Sequence, residues 1–81
     1  MGAELFLAAL LVLQQSDGSR IELYGGRGPC SAPALHGAYI PASGDPIGAC
    51  WRPVGSDILM VFLDTDVHTI PLAAFKRPTR L

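Results

Sequence analysis

Residues Asp57–Pro71, DILMVFLDTDVHTIP, decide how this chain folds. Six consecutive apolar residues, Ile58–Leu63, run into the polar turn Asp64-Thr65-Asp66. A second β-rich run, Val67–Ile70, follows and stops at Pro71. Two such runs joined by a short polar turn predict a β-hairpin. The first run carries no polar residue on either face. It therefore reads as a strand covered on both sides and central in its sheet.

Working outward, Pro53-Val54-Gly55-Ser56 turns the chain into this hairpin from Ile47–Arg52, IGACWR. As a strand, that segment puts Ala49 and Trp51 on one face and Cys50 and Arg52 on the other. Trp51 has two readings. One is the main core, where it buries about 200 Å². The other is an exposed contact for a partner. Before it, PASGDP at 41–46 is a turn and Ala38–Ile40 a short strand. Ser31–Gly37 has room for one helical turn, with Pro33 suited to its start and Gly37 to its end. After the hairpin, Pro71–Phe75 returns apolar side chains to the sheet, with Leu72 and Phe75 spaced as in one tight helical turn. The last six residues, KRPTRL, read as a polar, flexible tail.

Further upstream, Arg20-Ile21-Glu22-Leu23 alternates polar and apolar, the mark of a half-exposed strand. The pair Asp17-Gly18 is a hairpin signal, because glycine accepts the positive φ of a tight turn. It joins that strand to Leu11–Gln15. The loop Gly25-Gly26-Arg27-Gly28-Pro29 delivers Cys30. It is not followed by the helix and Lys-Ser/Thr that a phosphate-binding loop requires. These elements predict an all-β domain: a small twisted antiparallel meander or partly open barrel of five to six strands, with either a short N-terminal helix or an extended strand.

The N-terminal run Leu5–Leu13, LFLAALLVL, is too short for a stable membrane span, which needs about 20 residues. Three readings stand for it: a helix, a strand, or the end of an export leader. The hairpin uses only its second half. The surplus predicts a homo-oligomer in which Leu5, Leu7 and Leu10 pack against another copy. Residues 1–9 are thus a leader remnant or a dimerisation segment of a single domain spanning 1–81.

A chain of 81 residues buries only about 60–65% of its unfolded surface, so its core is thin. A net charge of −1 gives no basic excess for nucleic acid. The one basic cluster, Lys76, Arg77 and Arg80, reads as a solvated terminus. Two cysteines, Cys30 and Cys50, are either a bridge or two buried reduced thiols. A bridge closing about 20 residues contributes roughly 3 kcal/mol.

From Cys30 on, the chain is punctuated by Gly48-Ala49-Cys50-Trp51, an apolar strand, Leu63-Asp64-Thr65-Asp66, and Ile70-Pro71-Leu72-x-x-Phe75-Lys76. This pattern resembles a group of small exported bacterial proteins, many of them carried on prophages, with no assigned activity. The resemblance covers roughly residues 11–77. It implies export to the periplasm or medium and a Cys30–Cys50 disulfide, and it brings no catalytic residues. The chain departs from the group in two places. The segment Ser31–Gly37 is shorter than the helical one usual there, and Thr65 stands where the group has glycine.

Three constellations have atoms suited to chemistry. Asp64, Asp66 and His68 alternate, so on a strand they share a face that suits a divalent ion, or else form a polar turn with a histidine beyond it. Cys30, His36, Cys50 and His68 have zinc-ligating atoms without zinc-site spacing. Cys30 and His36 make a thiolate–imidazole pair only if the thiol is free. We therefore expect no metal site, cofactor or catalytic residue. The leading expectation is a non-enzymatic exported binding domain, a phage-borne accessory factor or inhibitor-like protein. The alternatives are an intracellular SH3-like adaptor barrel and a small metal-dependent hydrolase on Asp64, Asp66 and His68.

Overall fold

Residues 9–62 and 66–78 are described by a computed structural model. Six strands follow one another: β1 Ala9–Gln14, β2 Arg20–Tyr24, β3 Leu35–Ile40, β4 Ile47–Val54, β5 Asp57–Phe62 and β6 Val67–Pro71. Each pairs antiparallel with the next, and the sheet curls into a half-barrel. This is the meander that the turn signals predict. No helix among the described residues is long and apolar enough to cross a membrane.

The inner, concave face collects Ile21 and Leu23 of β2, Ala49 and Trp51 of β4, and Ile58, Met60 and Phe62 of β5. Leu23 and Met60 are fully buried. Each such side chain contributes about 1.5–3 kcal/mol by leaving water. Gly37 of β3 lies where this face is tightest. A Cβ there would sit 3.0 Å from the Glu22 carbonyl and 3.2 Å from the Trp51 ring. Glycine at this position leaves room for the indole against β3.

Past β6 a 3-10 turn, Leu72–Ala74, drops Phe75 into the core. The chain then meets the opposite edge of the sheet. Val12 N–H donates to the Lys76 carbonyl at 2.7 Å and Lys76 N–H donates to the Val12 carbonyl at 2.9 Å. One bridge thus ties the two edges together without β1 and β6 themselves pairing.

Several expectations need correction. β5 does have a neighbour on each side, but it is covered on only one face. Ile58, Met60 and Phe62 point inward, while Val61 on the outer face is 43% exposed. No layer among the described residues packs on the convex side, so an all-apolar run here means one buried row and one half-wet row. The segment Ser31–Gly37 is not a helical turn. β3 begins at Leu35, opposite Trp51, and His36 N–H is taken by the Gly26 carbonyl at 2.8 Å. β4 runs two residues beyond Arg52 because Pro53 and Val54 still face Ile58 and Asp57. The polar tail starts after Lys76, whose backbone is bonded to β1. At the N-terminus the strand reading holds from Ala9 onward, and residues 1–8 lie outside the described residues.

Candidate functional site

The hairpin ends fix where the interior is filled and where it is open. At the end marked by Leu23, Leu35, Trp51, Met60 and Phe75 the concave face is packed. At the other end β1, β3 and β5 finish and β2, β4 and β6 begin. There the inward side chains Leu13, Ile21, Ile47, Phe62 and Ile70 line a cup of about 460 Å³, within the usual range for a small-ligand site. Gln15, Tyr39, Asp66 and His68 add polar atoms around it. Both edge strands reach the cup, β1 through Leu13 and β6 through His68 and Ile70.

Its wall is ordered by ring contacts. The Phe62 ring meets Tyr39 edge-on at 6.5 Å and His68 edge-on at 5.4 Å. His68 therefore lies on the inner face, opposite Met60. The β1–β2 hairpin beside it is held by its own turn. Asp17 Oδ1 accepts from the Ser19 N–H at 2.9 Å and from the Ser19 hydroxyl at 2.6 Å, and Gln15 Nε2 donates to that hydroxyl at 2.7 Å. The bonds from Ser19 hold the Asp17 carboxyl below its ordinary pKa.

The outer face carries a second cluster. Arg20 Nε donates to Glu22 Oε2, and the Tyr24 hydroxyl donates to Glu22 Oε1 at 2.8 Å. Burial, reinforced by the Glu22 carboxylate, pushes the Tyr24 hydroxyl up to about 12. The Tyr24 ring lies 5.3 Å from His36. Beside this cluster a shallow groove of about 670 Å³ runs past Val12, Gln14, Lys76 and Arg77.

Cys30 and Cys50 form a disulfide with a Cα–Cα distance of 5.7 Å. It pins the β2–β3 loop to the outer face of β4, and Gly28 of that loop rests on the His36 ring, where a Cβ would sit 3.0 Å from two ring atoms. The bond consumes the thiolate that a Cys30–His36 nucleophile needs. It likewise removes both sulfurs from a zinc set, and the two histidines lie on opposite faces of the sheet. Among the described residues no three His, Cys, Asp or Glu side chains converge. Of the Asp64, Asp66 and His68 set, Asp66 and His68 share the cup and Asp64 lies outside the described residues.

Trp51 belongs to the core reading. It is 7% exposed, and its indole N–H donates to the His36 carbonyl at 3.0 Å and the Tyr24 carbonyl at 3.3 Å. The partner-contact reading is set aside because that ring presents almost no surface. Leu10 is 53% exposed at a bulge in β1, while Leu5 and Leu7 lie outside the described residues. The cup itself had no local sequence signal, since five of its residues come from five different strands or their ends. Comparison with family models, with curated proteins and with solved structures gave no match.

Proposed function

We propose that this chain is an exported, non-enzymatic binding domain that holds an apolar side chain of a protein partner in the cup. The observation that carries the reading is the cup: an apolar floor of Leu13, Ile21, Ile47 and Ile70 with polar atoms gathered around it. A concave apolar site with few, placed polar groups is the ordinary form of a binding site. The Cys30–Cys50 bridge supports an oxidising compartment, hence the periplasm or medium, over the intracellular adaptor. An accessory or inhibitor-like role fits such a domain, because neither needs chemistry of its own.

The test places a photo-crosslinking residue at Ile47, in the cup, or at Arg52, on the outer face, in protein expressed in a bacterial envelope. The reading expects a defined crosslinked product from Ile47 that is lost in the cup-filling variant Ile70→Trp. Equal crosslinking from both positions, or crosslinking that survives Ile70→Trp, overturns it.

A further inference from the structure

The bonding parity of the sheet shows which backbone groups of β6 face outward. Phe62 N–H donates to the Asp66 carbonyl at 2.8 Å, and Leu72 N–H donates to the Ser56 carbonyl at 2.9 Å. Both pairs belong to the β5–β6 register, in which Met60 faces His68 and Ile58 faces Ile70. Hydrogen-bonded pairs alternate along an antiparallel ladder. His68 and Ile70 therefore bond inward to β5, and Val67 and Thr69 present N–H and C=O to the edge of β6 with which no strand among the described residues pairs. The same rule holds on β1. There Gln15 bonds Ser19, so Val12 faces away from β2, and it is Val12 that bonds Lys76.

We propose that a second copy of this chain pairs with the β6 edge, antiparallel about a two-fold axis between the two His68 residues. Three registers bring the outward groups together. An axis at Thr69 sets Val67 opposite Pro71, which has no N–H to give. An axis at Val67 pairs that residue with itself and leaves Thr69 without a partner from β6. The axis at His68 sets Val67 against the second copy's Thr69 twice over, and all four donors and all four acceptors are used. In this register Asp66 of each copy faces Ile70 of the other and not a second carboxylate, while the two His68 side chains face each other. The outer face favours it too. Val67 is 60% exposed, and in this register its side chain lies beside Thr69 of the second copy, so pairing takes part of it out of water.

The contact is small. A seam a few residues long falls below the roughly 1,200 Å² of a standard stable interface, so the dimer is weak and concentration-dependent. It does not depend on the cup holding a ligand, and failure of either proposal leaves the other standing.

The experiment combines sedimentation with amide hydrogen exchange on the intact, oxidised protein from about 10 µM to about 1 mM, the span expected for so small a contact. In the dilute sample the Val67 and Thr69 amides exchange fast while His68 and Ile70 are slow. As concentration rises, the mass moves toward two copies and Val67 and Thr69 become protected together. Thr69→Pro removes one outward N–H and leaves the β5–β6 bonds in place, so it weakens association at least about tenfold. Should Thr69→Pro unfold, Val67→Lys puts a charge at the seam with every backbone bond intact and gives the same loss. A monomer across the whole range overturns the proposal. So does a dimer in which Val67 and Thr69 stay unprotected, or one that neither variant weakens.

Discussion

Replacing both Cys30 and Cys50 by alanine removes the covalent tie between the β2–β3 loop and β4. The bridged residues are 20 apart in sequence. Closing a loop of that length removes about 11 cal/mol/K from the unfolded chain, or about 3 kcal/mol at 25 °C. Unfolding an 81-residue domain carries about 170 cal/mol/K, so the midpoint should fall by roughly 15–20 °C. The native structure should change little. Trp51, Met60 and the core lie on the opposite face of the sheet from the sulfurs, and the loop retains its bonds from Cys30 N–H to Arg27 and from His36 N–H to Gly26. Thermal unfolding followed by Trp51 fluorescence, on oxidised wild type, reduced wild type and C30A/C50A, measures the effect. A fall under about 4 °C in both the reduced protein and the variant would rule out a stabilisation of this size from the bridge. It would mean that the core alone sustains this small domain.

Gly37→Ala should destabilise by about 1–3 kcal/mol, because its methyl meets the Glu22 carbonyl at 3.0 Å and the Met60 terminal methyl at 3.3 Å; urea unfolding checks this, and a neutral effect would show that β3 can move away. Tyr24 should ionise late, near 12, in an ultraviolet titration, and Glu22→Gln should bring it down. Since folding raises that value, the associated stability is complete below pH 10 and is lost as pH rises toward 12. Asp17 works in the opposite sense. Its folded value lies below the ordinary one, so its contribution is present above that value and is lost as pH falls through the folded one. Ser19→Ala should move Asp17 back up, read by carboxyl NMR.

The strand order was legible in the sequence because the turns announce themselves. Asp17-Gly18 and Gly55-Ser56 sit between alternating or apolar runs, and hydrogen bonding within each turn is local. The faces of β4 were legible for the same reason: Ala49 and Trp51 against Cys50 and Arg52 is a pattern of period two. β5 misled because Leu59 and Val61 are apolar on a face that no second layer among the described residues covers, Leu59 half-buried and Val61 exposed. An unbroken apolar run records what a strand is made of and not how many layers surround it. The start of β3 was hidden too, since Ser31–Gly37 holds proline and glycine and carries no strand signal before Leu35 meets Trp51. The cup was out of reach, because Leu13, Ile47, Phe62 and Ile70 become neighbours only when the sheet curls.

The interior is packed at one end and accessible at the other. Methyl-resolved NMR during titration with indole, a small apolar probe with one polar N–H, tests this most directly. The predicted result is saturable shifts at Leu13, Ile21, Ile47 and Ile70, with Leu23, Ile58 and Met60 unmoved. Unchanged Ile47 and Ile70 methyls, or shifts centred on Ile58 and Met60, would contradict it.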